Sequence, residues 1–387
     1  MKYGNYLLIL IMLTAVFISA GCVDKTGTDI PNITGPWTEA TSTVHQNGDE
    51  GFSYPALTDG IFDVTLQEGR LFSGRFSGTD FYGSFFDENT THFMLAYEAS
   101  DTKENVSEIL IGTVLRENEI QISGAKFLNT DDIPESEDRA LGVQSFTLAR
   151  NGVFLQTLTY PDVSGAWMFQ SGSVMSQGDT TTISGENLVV RGQEGALFYG
   201  IIDDGGRSGY TNFSAVMYDD NKIQKFLLVT DDGQIWFGAI NSGEITIIST
   251  DDKTSESTVT IITKTYEINQ DRSEAQKSSD LTGIWITKRQ EVISKSGYDA
   301  GLPSDFIISV DKQTENCLIG TTSYMGVNEG EIGGMVSPFG EVILFRYNKN
   351  GGVYLGMGQV DQDALTISEI FTEAGTRYIS EIVAVRS

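Results

Sequence analysis

The chain is poor in the residues that carry most protein chemistry. Its 387 residues include two cysteines, two histidines and seven prolines, and 25 lysines and arginines stand against 53 acids. Two imidazoles, His45 and His92, are too few for a haem or zinc site built from several of them. A formal charge of −28 argues against a nucleic-acid partner, because phosphate backbones need a basic surface. No polybasic segment offers itself to an anionic bilayer either. Beyond the leader there is no long apolar run at helical spacing, which excludes a helix bundle. No serine elbow, phosphate-cradling loop or Cys–His pairing occurs. The chain therefore reads as no enzyme, with no cofactor and no metal. Its densest acidic stretch, Asp131 to Asp138, lacks the alternating ligands and central glycine of a calcium loop and reads as a solvated loop.

What is present begins with a leader. Lys2 precedes the apolar run Leu7 to Ile18, and small residues Ser19-Ala20-Gly21 lead into Cys22. The run is shorter than the roughly 20 residues of a spanning helix. This junction resembles the lipobox of prokaryotic lipoproteins, departing from it at Ser19, where leucine is usual. The resemblance implies a signal peptide over 1–21, lipid attachment at Cys22, a tether over 22–32 and a cell-surface, extracytoplasmic protein whose first partner is the membrane. An ordinary secretory peptide and an uncleaved anchor are the alternatives. With Cys22 lipidated, Cys317 stands alone in a strand-like run and reads as a buried thiol, so no internal disulfide is expected. Sequons at Asn32, Asn89, Asn105 and Asn212 make Asn89, Asn105 and Asn212 candidate glycosylation sites outside the cell.

One phrase is stated three times. Ile33-Thr34-Gly35-Pro36-Trp37 recurs as Val163-Ser164-Gly165-Ala166-Trp167 and as Leu281-Thr282-Gly283-Ile284-Trp285. A first glycine follows in Leu71-Phe72-Ser73-Gly74, Leu197-Phe198-Tyr199-Gly200 and Cys317-Leu318-Ile319-Gly320. A second closes Leu110-Ile111-Gly112, Trp236-Phe237-Gly238 and Tyr354-Leu355-Gly356. Each unit ends on a strand-like run with a base, at Arg150, Lys264 and Arg386. Repetition of order, spacing and chemistry together marks tandem copies of one domain, over 33–150, 163–266 and 281–387.

Turn signals such as Asp203-Asp204-Gly205-Gly206 and Asp231-Asp232-Gly233 divide a unit into eight short strands. Short connections favour a meander, and eight meandering strands lose their exposed edges by closing. The expected fold is all-β, with three up-and-down antiparallel eight-stranded barrels in series like beads. A propeller is the alternative, but each repeat exceeds the roughly 40–50 residues of a blade.

Gly-x-Trp on a first strand and a base on the last resembles the calycin group, the lipocalins and their avidin-like relatives. That resemblance implies that Trp37 pairs with Arg150, Trp167 with Lys264 and Trp285 with Arg386, each cation sealing one end of its barrel. Gly69-Arg70-Leu71-Phe72-Ser73-Gly74-Arg75-Phe76 is similar to an avidin strand with one residue added. Biotin-contacting positions have no match here.

Two functions remain open. One is a surface-tethered binding protein holding a small or lipid-like, apolar ligand; the other is a structural or adhesive envelope protein with filled barrels. Phe72, Phe76, Phe198, Tyr199, Trp236, Phe237 and Tyr354 are candidates to line a pocket or to plug one. An eight-stranded barrel has room for either, and a cavity of roughly 300 Å³ or more favours binding.

Overall fold

The computed structural model describes residues 30–55, 60–87, 91–97, 106–128, 141–150, 158–176, 179–203, 209–218, 224–241, 243–250, 260–267, 278–301, 305–314, 316–337, 340–348, 353–373 and 376–387. They form three closed antiparallel barrels. The first contains β1 (Gly35–Gln46), β2 (Ile61–Glu68), β3 (Leu71–Phe76), β4 (Thr79–Phe85), β5 (His92–Tyr97), β6 (Val106–Arg116), β7 (Glu119–Leu128) and β8 (Gly142–Ala149). The second contains β9 (Gly165–Ser176), β10 (Asp179–Thr182), β11 (Asn187–Glu194), β12 (Leu197–Asp203), β13 (Tyr210–Met217), β14 (Gln224–Thr230), β15 (Ile235–Asn241), β16 (Glu244–Thr250) and β17 (Thr260–Glu267). The third contains β18 (Gly283–Ser294), β19 (Gly297–Asp299), β20 (Phe306–Thr314), β21 (Cys317–Tyr324), β22 (Val327–Val336), β23 (Glu341–Asn348), β24 (Val353–Asp361), β25 (Ala364–Glu373) and β26 (Thr376–Arg386).

Strands follow one another around each barrel, and the Trp strand closes on the last, β1 on β8, β9 on β17 and β18 on β26. Eight strands per barrel match the count expected. The short β10 and β19 are additions, folding back onto the Trp strand alone.

The repeated glycines have separate physical causes. Gly35, Gly165 and Gly283 have φ of 96°, 116° and 124°, a region that side chains with a Cβ rarely enter. A Cβ on Gly74, Gly200 or Gly320 would stand 1.8–1.9 Å from a carbonyl oxygen of the preceding strand. Each of those carbonyls belongs to a residue beside a β-bulge, where the bulged strand bends toward its neighbour. At Gly112 and Gly238 the space is taken by the rings of Phe93 and Phe226.

The barrels are not beads. Residues 31–387 make one compact unit, and the core around the middle barrel continues into outward-facing residues of both others, such as Met94 and Ile111 of the first and Ile319 and Phe345 of the third. Strands facing a neighbouring barrel are buried on both sides, for example Phe213–Met217, which turns alternation into a continuous buried run. Buried hydroxyls satisfy the seams. Thr113 Oγ1 donates to the Tyr218 carbonyl (2.7 Å), Ser123 Oγ to the Met217 carbonyl (2.9 Å), and Ser84 Oγ meets Ser368 Oγ at 2.7 Å. Lys225 pairs with Glu341 across the second and third barrels, where Phe237 also meets Phe345 edge-on.

His45, counted in the sequence only as one of two imidazoles, is 1% exposed between the first two barrels. Its Nδ1 lies 2.7 Å from Ser214 Oγ, and its ring stacks on Tyr199 at 4.3 Å. Burial holds its pKa below the ordinary value, against the opposing pull of the Asp49 carbonyl and charge. A histidine neutral in the folded state stabilises above its unfolded pKa, near 6.5, and loses that stabilisation as pH falls through the folded value. The urea midpoint is therefore expected to fall between pH 7.5 and pH 5 more steeply in the wild type than in His45→Gln; equal slopes would refute this. His92 faces out of its barrel but is also buried, with Nδ1 3.1 Å from Asp87 Oδ2. Burial alone would raise the Asp87 pKa, but the His92 contacts outweigh it and hold it low.

Candidate functional site in the third barrel

One end of every barrel is sealed by the same construction. Each indole Nε1 donates to a carbonyl four residues earlier, at Ile33, Val163 or Leu281, over 2.8–2.9 Å. The amide of that residue donates to a glutamine, Gln67, Gln193 or Gln313, at 2.7–3.0 Å. The glutamine Nε2 then donates to Pro31, Pro161 or Ser279. These glutamines are absent from the sequence reading. Each stands seven residues before the first repeated glycine, and that constant spacing was the available signal.

The bases divide. Arg150 lies 3.7 Å over Trp37 and donates to the Ile33 and Thr34 carbonyls. Arg386 lies 4.8 Å over Trp285 and donates to Asp280 and Thr282. Contrary to the pairing the resemblance implies, Lys264 does not lie over Trp167. Glu267 faces Met168, so the position opposite Trp167 falls beyond the described end of β17. Lys264 sits deeper, facing Gly172, and its ammonium lies 5.0 Å over Trp236. Burial lowers its pKa, opposed by Glu186 and Asp232.

Cys22, Asn89 and Asn105 lie outside the described residues. Asn212 is half-buried, and its Nδ2, the atom a glycan would join, donates to Asp231 at 3.0 Å. Cys317 is buried. Of the candidate pocket residues, Phe72 and Phe198 pack inside their barrels as T-shaped ring clusters with Phe93 and Phe226. Tyr199 and Phe237 face neighbouring barrels instead.

The three interiors diverge on one ring of residues, fixed by pairing from the second repeated glycine. In the first barrel this ring holds Leu95, Leu110, Ile122 and Phe146. In the second it holds Leu228, Trp236, Ile247 and Lys264. In the third the same positions are Arg346, Tyr354, Glu369 and Ser380. Phe146 stacks on Phe76 at 5.7 Å and plugs the first barrel. Ser380 leaves that volume unfilled.

Arg346 and Glu369 form a buried pair, 8% and 3% exposed, joined at 2.8 and 3.4 Å. The guanidinium lies 3.2 Å over Tyr354 and 5.0 Å from Phe306. Burial works against its charge, but Glu369 outweighs burial and holds it protonated. Above this pair, at the end remote from Trp285, is a cavity of about 210 Å³. It is lined by the aromatic residues Phe306, Tyr324, Tyr354 and Tyr378 and the polar residues Gln290, Glu329, Arg346 and Ser380. The volume is below the roughly 300 Å³ expected of a drug-sized site, and it suits a smaller, polar guest.

No protein family matches the chain, and no curated protein matches it. Among solved structures it is similar to a Nostoc punctiforme protein of unknown function from the DUF3598 family. The identity is 8% and the TM-score 0.29, over 58% of this chain and 96% of that one. It is also similar to a variant of transferrin binding protein B, a vaccine antigen from Haemophilus parasuis. There the identity is 9% and the TM-score 0.20, over 92% and 76% of the two chains. Intact Ap-TbpB, with N and C lobes, gives 11% identity and a TM-score of 0.20 over 92% and 79%. Likeness at this level speaks to neither ligand nor role.

Proposed function

We propose that the chain is a non-enzymatic, lipid-anchored protein of the cell surface in which two filled, calycin-like barrels support a third that binds a small polar molecule. The observation that carries this reading is the exchange of the first barrel's apolar ring for Arg346, Tyr354, Glu369 and Ser380 beside a cavity of about 210 Å³. Burying an ion pair costs stability relative to apolar packing, so a ring that is wholly apolar in the first barrel and carries such a pair here keeps it for some other use. A charged floor and this volume disfavour the lipid-like ligand that the fold resemblance allows. The filled first barrel supports a second, compatible role as a spacer.

A thermal-shift screen of small polar metabolites tests the binding. Compounds that occupy the cavity raise Tm by mass action in the wild type and not in Arg346→Leu/Glu369→Ile. If nothing raises the wild-type Tm, the spacer or adhesive reading takes its place. The anchor has its own test. Cys22→Ser is expected to release mature protein into the medium or to leave an unprocessed precursor, because stable anchoring needs the lipid. A processed, membrane-bound variant would refute the anchor.

A further inference from the structure

We infer that the third-barrel cavity takes a small, uncharged, polyhydroxylated ring of monosaccharide size; this rests on the binding reading above and narrows it to one ligand class. Size comes first. The cavity of about 210 Å³ holds about seven waters at the liquid's share of about 30 Å³ each, which is room for one six-membered ring with its hydroxyls and not for a chain of them.

Charge comes second. Arg346, the one cation lining the cavity among the described residues, is already engaged by Glu369 through two contacts. A carboxylate or phosphate would find no unpaired cation there, and Glu329 would repel it. An ammonium would face the guanidinium. An apolar guest would strand the polar groups of Arg346, Gln290 and Ser380 away from water, which is costly.

Hydrogen-bonding complementarity is the deciding point. An anion asks only for donors and an ammonium only for acceptors, whereas a hydroxyl both donates and accepts. The lining residues carry both kinds within one small space: Arg346 has guanidinium N–H groups, Glu329 a carboxylate, Gln290 an amide and Ser380 a hydroxyl. A sugar also presents a C–H face. Both faces of Tyr354 are occupied, by Arg346 at 3.2 Å and by Phe371 at 3.8 Å, so that stacking falls to Tyr324, which is 43% exposed at the rim.

Saturation-transfer NMR on the full chain in detergent tests this, with D-galactose and D-glucose as neutral probes. D-Glucuronate and D-glucosamine supply the same ring with one charge of either sign. The neutral sugars are expected to receive saturation, with at least a fivefold loss in Arg346→Leu/Glu369→Ile and in Ser380→Phe. Stronger transfer to a charged ring, lost in both variants, overturns the ligand class and leaves small-molecule binding intact. Transfer undiminished in folded variants places the sugar elsewhere and overturns the inference. Silence from all four rings overturns it too. If the metabolite screen still finds stabilising compounds, the binding reading survives; if that screen is also empty, both fall.

Discussion

Arg346→Leu is expected to destabilise the third barrel by about 3–5 kcal/mol, while Arg346→Leu/Glu369→Ile stays within about 1 kcal/mol of the wild type or exceeds it. The single change leaves the Glu369 carboxylate, 3% exposed, buried with no guanidinium to offset its lost hydration. The double change removes both charges together. It also installs the residues that the other two barrels carry on this ring, leucine at Leu95 and Leu228 and isoleucine at Ile122 and Ile247. Their packing shows that the ring accepts that pair without distortion. Urea unfolding of the three proteins measures the effect, and a double variant as unstable as the single one would contradict it.

Trp167→Ala is expected to cost about 3–5 kcal/mol, the usual loss for truncating a buried aromatic, and to bring down all three barrels in one transition. Trp167 is 3% exposed, and its Nε1 bond to Val163 seals the middle barrel. That barrel's interior is continuous with the packing of its outer faces against both neighbours. Losing it would expose the apolar outer residues of the first barrel, such as Met94 and Ile111, and of the third, such as Phe345. Calorimetry should record one transition, at lower temperature than in the wild type. Two separate transitions, one unaffected by the substitution, would restore independent barrels.

The sequence made the barrels legible because their cause is local and repeated. Gly-x-Trp needs a glycine at positive φ before a buried indole, and both the first glycines and the turns recur with it. What stayed hidden was how barrels meet. A strand such as Phe213-Ser214-Ala215-Val216-Met217 carries Ser214 and Val216 on its second buried face, and only the neighbouring barrel gives Ser214 or Thr113 a partner. His45 was unreadable for the same reason, since Ser214 and Tyr199, which bury it, lie more than 150 positions away. The candidate site was half legible. Tyr354 was among the residues named for lining or plugging a barrel, but Arg346 and Glu369 sit 23 residues apart on different strands. They become a pair only once register aligns them with Leu95 and Ile122. Lys264 failed as a closing base because counting to the last cation ignores how far the final strand runs past it.

The central claim is that one barrel is open to small polar molecules where its sisters are packed. NMR transfer of magnetisation from water, on full chain labelled at arginine side chains and at leucine and isoleucine methyls, tests it most directly. Water should reach the Arg346 guanidinium in the wild type, and Ser380→Phe, which copies Phe146, should cut that contact. The methyls of Leu95 and Leu228, on the same ring in the other barrels, should stay dry. A dry Arg346, or wet methyls at Leu95 and Leu228, would contradict the account.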